Sequence, residues 1–283
     1  MPTADLIDSH FHLWRLDRSQ ASGILADKRF KDDISWADYE AARGATSLAG
    51  AVAVQVTSGD GDGEPEVEFF ESAAAHHPEL KAIVAWAPLE MEDVGEHLGR
   101  LARHSLVTGI RRNTQDEADP MFCAIPSFVD GAARLPDHGL VCDICARHWQ
   151  LDGVIALARA VPQTTIILNH LGKPEMGGDL APWRSRMSAL AELPNVHVKM
   201  SVVVHGEPSD SWVDDDVAPV VAHVLEAFGP ERLLWGSNWP VAPLVTGYND
   251  WLALAQKLTA HLSESERAGI FHDNAARLYR ISS

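Results

Sequence analysis

Eight short apolar runs rich in β-branched residues recur along this 283-residue chain, and the recurrence limits the fold more than any single motif does. The runs cover 5–12, 48–57, 81–89, 107–113, 139–146, 164–172, 196–203 and 233–241. Between them, segments 64–77, 94–104, 148–160, 184–192 and 215–228 repeat apolar residues at helical spacing. Strands that are apolar throughout are covered on both faces, and helical crossovers make neighbouring strands parallel. Eight of them close into a (β/α)8 TIM-type barrel. An open doubly wound sheet would carry a Gly-rich phosphate turn after its first strand, where this chain reads SHFHLWRLDRSQ. No Pro-rich linker, composition break or repeat divides the chain. The reading is therefore one domain over 1–283, with extra helices from 250 to the C terminus. Loops at 58–64, 174–182 and 204–212 are rich in Gly, Pro and acids and are candidate lids.

Charge narrows the partners. Twenty-three Lys and Arg against 40 Asp and Glu give a formal charge of −17, which repels polyanions and argues against a nucleic-acid groove or an anionic membrane face. A small-molecule partner is expected. No apolar run approaches the roughly 18–20 residues of a membrane span. Three cysteines fit a reducing, cytoplasmic setting better than a disulfide framework. Cys142 and Cys145 sit three apart in an extended run, on opposite faces, and read as buried thiols rather than a redox or zinc pair.

Barrel enzymes take their functional groups from strand C-terminal ends. Strand one ends in His10-Phe11-His12, whose alternation turns both imidazoles to one face. Strand six ends in His170 within NHLGKP, strand eight in Gly236-Ser237-Asn238-Trp239-Pro240, and strand four in Arg111-Arg112-Asn113. A lone histidine is ordinarily a hydrogen-bonded core or surface group. Three at one rim point to a task, because burying an unsatisfied polar group costs roughly 1–3 kcal/mol. Arg111 shares its face with Gly109 and Asn113 and, pointing inward, would bind a carboxylate, carbonyl or hydroxyl; Arg112 reads as a surface ion pair. Lys199 lies mid-strand on the face of His197 and Ser201, where it either binds a substrate oxygen or bridges interior carboxylates. Trp14, Trp86 and Trp239 are either an apolar wall for a sugar ring or plain packing.

The ordered set IDSHFHLW at 7–14, VQV at 54–56, GIRRN at 109–113, NHLGKP at 169–174, VHVKMS at 196–201, LLWGSNWPV at 233–241 and NAARLYRI at 274–281 spans almost the whole chain. It resembles the amidohydrolase superfamily, in the branch of sugar and dicarboxylate lactonases. The resemblance implies that His10, His12 and His170 line the site. With residue 238 they would hold one divalent metal, zinc or manganese, or else bind substrate and water with no metal. His148 matches a position where relatives often carry a histidine, and it would contact substrate or start a solvated helix. The main departure is at strand eight. The family reads G-S-D-W-P with the aspartate as general base, and this chain has Asn238, an amide that cannot take a proton from water at neutral pH. The chain is either an Asp→Asn variant made to trap a ligand, which the otherwise intact site favours, or a natural relative with altered or lost activity. The implied reaction is hydrolysis of a small lactone, foremost a sugar lactone, to the open hydroxy acid. The alternatives are a metal-dependent decarboxylase of an aromatic or unsaturated acid, and a non-catalytic barrel that binds a lactone or sugar acid. GIRRN and NHLGKP favour the lactonase.

Overall fold

The eight apolar runs form eight parallel strands: β1 (Ile7–Phe11), β2 (Gly50–Val54), β3 (Leu80–Ala85), β4 (Val107–Arg111), β5 (Val141–Ile144), β6 (Ile166–Leu168), β7 (Val196–Ser201) and β8 (Leu233–Gly236). Each is hydrogen-bonded to the next in sequence order. The computed structural model describes residues 6–16, 30, 32–56, 63–202 and 214–282. Of the candidate lids, 174–182 is described, while 204–212 and all but the last two residues of 58–64 lie outside the described residues. The ring closes just beyond β8, where Phe11 bridges Trp239 in parallel. There His12 N donates to Trp239 O at 2.8 Å and Asn238 N to His10 O at 2.8 Å.

Helices α1 (Trp36–Arg43), α2 (Glu64–Ala74), α3 (Val94–Leu101), α4 (Pro126–Ala133), α5 (Leu151–Ala160), α6 (Ala181–Ala191) and α7 (Asp214–Phe228) make the crossovers, and α8 (Tyr248–Leu258) follows β8. Two short additional helices, α9 (Glu264–Ala268) and α10 (Asn274–Leu278), end the described chain. This is the (β/α)8 barrel that the strand count predicts, with its extra C-terminal helices. The core has two layers because strand side chains alternate. Outward residues such as Ala51, Ile83, Ile110, Cys142 and Val198 pack against the helices. Inward residues, among them Ile7, Val52, Val84, Val141, Ile167 and Leu234, form a separate cluster inside the ring. Tyr279 and Ile281 join this inner cluster from the C-terminal segment and fill the barrel interior. Cys142 and Cys145 are free and buried, and burial pushes the Cys142 thiol up, as inert packing thiols require. Among the described residues no helix is long and apolar enough to cross a membrane.

Candidate active site at the barrel mouth

A register shift between Asp8 and Phe11 sets the first part of the site. Ile7 belongs to the inner cluster and Phe11 to the outer one, so strict alternation would have turned His10 outward. The irregularity re-phases the strand, a common use of such bulges beside functional sites. Asp8 fastens it. Its Oδ1 accepts from the backbone N–H groups of His10 (3.1 Å) and Ser237 (2.9 Å), and its Oδ2 accepts from Tyr39 Oη at 2.7 Å. The second part follows β6, where His170 takes a left-handed backbone conformation (φ 54°) and stacks edge-on against His10 with ring centroids 4.6 Å apart. The third follows β8, where Asn238 is also left-handed (φ 55°), a conformation asparagine tolerates better than most residues. His10, His12, His170 and Asn238 are all at most 4% exposed.

The hydrogen bonds here run in one direction. Asp143 Oδ1 accepts from the Lys199 ammonium at 2.6 Å and from Asn169 Nδ2 at 2.8 Å, while its Oδ2 accepts from Tyr279 Oη at 2.8 Å. Lys199 Nζ, a donor only, also lies 3.3 Å from His10 Nδ1, which must therefore accept. The His10 proton then sits on Nε2, 3.2 Å from His12 Nε2, and points at that nitrogen's lone pair. His12 closes the relay by donating from Nδ1 to Val54 O at 2.7 Å. His170 Nδ1 is 2.8 Å from Ser201 Oγ, and its Nε2 has no hydrogen-bond partner among the described residues. Asn238 donates from Nδ2 to Val202 O at 3.0 Å, and its side chain also reaches His12. Burial, reinforced by the neighbouring cations Lys199, Arg111 and Lys173, holds His10 and His170 well below the ordinary imidazole range and His12 down to about 3.

Other residues anticipated from sequence take varied places. Arg111 is inward and buried, donating to Gln55 O at 2.5 Å, whereas Arg112 faces out and pairs with Glu90 and Glu117. Lys199 lies beneath His10, wholly buried against Asp143. His148 is half-buried at the rim beside Trp149. Trp239 packs among the outer core against Tyr39, Trp14 packs with Val56 and Phe30, and Trp86 lies against His97. Asp143, Ser201, Gln55 and Lys173 went unassigned in the sequence reading. An acid inside the run VCDI was a usable signal for the first of them. Lys173, in a Gly-Pro turn, reads as an ordinary solvated lysine.

A divalent ion is implied by the family resemblance, and the side chains can be tested for it. Two nitrogens on one tetrahedral zinc, each about 2.0–2.1 Å from the ion, sit about 3.3–3.4 Å apart. The His10 and His12 Nε2 atoms, at 3.2 Å, have that spacing. The chemistry disagrees. His10 Nε2 carries a proton because its Nδ1 faces an ammonium, residue 238 is an amide, and Lys199, Arg111 and Lys173 crowd the same imidazoles. Among the described residues no group of three or more His, Cys, Asp or Glu is placed to hold an ion. In this arrangement the donor set does not suit a dication.

A parallel (β/α)8 barrel with an imidazole cluster at the C-terminal ends of its strands is the architecture of an enzyme built on the TIM-type fold. More narrowly, the chain belongs to the amidohydrolase family, which matches over residues 7–281. It is 30% identical to an L-fucono-1,5-lactonase of Burkholderia multivorans over 97% of this chain and 96% of that one. It is 28% identical to an L-rhamnono-gamma-lactonase of Scheffersomyces stipitis over 71% and 69%. A crystal structure of an amidohydrolase from Burkholderia multivorans with bound zinc superposes with a TM-score of 0.86 at 28% identity, covering 99% of this chain and 100% of that one.

Proposed function

We propose that this chain hydrolyses a small lactone, foremost a sugar-derived one, to the open hydroxy acid. One observation carries the reading. The directional relay through Lys199, His10 and His12 uses the nitrogens of two imidazoles and leaves His170 Nε2 as the ring nitrogen of the cluster with no partner among the described residues, free to accept a proton in the tautomer whose Nδ1–H donates to Ser201 Oγ. The similarity to lactonases over most of the chain supports the choice of a cyclic ester.

In this mechanism His170 Nε2 takes a proton from water as the water oxygen attacks the lactone carbonyl. Ser201 Oγ accepts from the His170 Nδ1–H, which fixes the tautomer that leaves the Nε2 lone pair for the proton. The Asn238 amide gives one Nδ2 proton to Val202 O, and its second turns from the His12 side of the site to the oxygen that becomes anionic. Collapse breaks the ring C–O bond, and the proton held at His170 Nε2 passes to the departing alkoxide. No step needs a metal. Asn238 fits its surroundings as an amide, because an aspartate would set a carboxylate oxygen against the Val202 carbonyl. We therefore read it as the native residue of a divergent member. The test is turnover of sugar and dicarboxylate lactone panels after exhaustive chelation. Hydrolysis of at least one lactone is expected, and its absence from all of them overturns the reading.

A further inference from the structure

In a chain whose net charge is −17, two buried cations at the mouth, Arg111 and Lys173, have only neutral hydrogen-bond acceptors among the described residues. Lys173 follows His170 by three residues, adopts a left-handed conformation (φ 45°) and is 8% exposed. Its Nζ donates to Gln115 Oε1, a neutral amide oxygen that also accepts from the Cys145 thiol at 3.4 Å. Arg111, 5% exposed, has two acceptors, Gln55 O and Asn169 Oδ1, and both are neutral. Among the described residues neither cation makes a salt bridge. The carboxylates that act on them from nearby, Asp143 and Glu66 on Arg111 and Asp116 on Lys173, are engaged elsewhere: Asp143 with Lys199, Glu66 with the Val56 N–H at 2.8 Å, and Asp116 with Arg147 at 3.4 Å. Arg112, one residue from Arg111, shows the ordinary alternative with two carboxylate partners.

Buried charges are normally paired, because desolvation of an isolated ion is expensive. Here two of them act on each other and on His170, and burial pushes both cations down from their usual values. An anionic oxygen between them would relieve both penalties. The transient oxyanion of hydrolysis is a weaker explanation, since Asn238 already offers it a donor from β8, across the ring from β4. A permanent negative charge fits better. We infer that Lys173 and Arg111 form an anion subsite on the β4–β6 side of the mouth, and that the lactone carries a carboxylate bound there. This rests on the lactone reading of the same site. It gives the bound substrate a polarity, with carboxylate toward Lys173 and scissile carbonyl toward Asn238. The planar guanidinium of Arg111 suits a carboxylate and the Lys173 ammonium adds a point charge.

The experiment compares D-glucaro-1,4-lactone with D-glucono-1,4-lactone, which differ in a carboxylate against a hydroxymethyl group. The expected kcat/KM ratio favours the former by at least about tenfold, the discrimination of one good charge-assisted contact. In Lys173→Gln the ratio should collapse through a raised KM, and in Lys173→Arg it should recover. Calorimetric titration of the native protein with glutarate and with glutaramide is independent of turnover and of any variant's folding. Glutarate should bind more tightly, and the difference should shrink with added salt. If neutral and anionic lactones are hydrolysed equally well and Lys173→Gln changes neither, the subsite is overturned while the lactonase reading stands. If no lactone is hydrolysed but glutarate is still preferred over glutaramide in a Lys173-dependent way, the subsite stands and the lactonase reading falls. Equal binding of glutarate and glutaramide overturns it.

Discussion

His170 differs from its two neighbouring imidazoles in what its Nε2 touches, and the chemistry proposed for the site follows from that difference. Burial, with Lys173 and Arg111 close by, depresses its proton affinity, so the ring stays unprotonated throughout the neutral range. The sign is simple. Only the unprotonated ring can accept a proton from water, so kcat/KM should stay level as the pH falls through 6.5, the ordinary imidazole value, and drop only at lower pH. A rate profile with its half-point at 6.5 would count against a buried base. His170→Gln should lose about 10²–10⁴-fold in kcat, the usual worth of a positioned base, with a smaller change in KM. Asn238→Asp should give no gain. It replaces the Nδ2 donor that meets Val202 O at 3.0 Å, so the new carboxyl either repels the carbonyl or takes a proton to restore the bond, and a protonated acid is no base. Its cost in stability should be about 1–3 kcal/mol by denaturant titration. A rate increase of two or more orders of magnitude would instead return the base role to residue 238, as the family resemblance has it.

The seam between β8 and β1 holds the imidazole pair in place, and it is tight at one glycine. A Cβ on Gly236 would lie 2.9 Å from His10 Cβ and 3.1 Å from Ser9 Oγ, so any larger residue presses on the strand that carries His10. Gly236→Ala should cost about 1–3 kcal/mol and lower kcat more than it raises KM, as judged by melting and by steady-state kinetics. Unchanged kinetics would mean that β1 yields without moving its histidines. That seam was only partly legible in the sequence. The HFH alternation and the polar end of strand eight placed the groups, but the shift between Asp8 and Phe11 comes from pairing with β2, which no local pattern encodes. Helices α1 and α4 were missed for a related reason. WADYEAAR is too polar to show an apolar stripe, and PSFVDGAA carries Pro and Gly that read as turn, although Pro at the first helical position is well tolerated. In α4, Gly131 is what lets the helix press on the chain after β3, since a Cβ there would meet Leu89 O at 2.0 Å. The strands were the most legible elements, because burial on both faces leaves near-continuous apolar runs whatever the loops do.

Across the whole molecule, the barrel interior is not uniformly apolar, and its charged part joins the two ends of the chain. Asp143 on β5 sits at 0% exposure, Lys199 on β7 likewise, and Tyr279 from the C-terminal segment donates to Asp143 Oδ2 at 2.8 Å while its ring lies 5.1 Å from Lys199 Nζ. The C-terminal segment thus packs the inner cluster and also satisfies the carboxylate that orients Lys199, and through Lys199 the tautomer of His10. Removing one member of such a pair is far worse than removing both, because the partner is left charged and dry. Lys199→Met should therefore destabilise the protein by about 3–5 kcal/mol, and the double variant Asp143→Leu with Lys199→Met should recover a large part of that. Tyr279→Phe, which deletes one donor and leaves the ring in place, should cost about 1–3 kcal/mol. The three proteins can be compared by denaturant titration, with activity measured on whichever remain folded. Functionally the variants should differ from one another. Tyr279→Phe keeps Lys199 and hence the relay, so it should keep most of its turnover. The double variant frees His10 Nδ1 from the ammonium and lets the ring take either tautomer, so it should be folded yet slow. A double variant as active as the native protein would show that the relay is structural only and that His170 needs no ordered imidazole beside it.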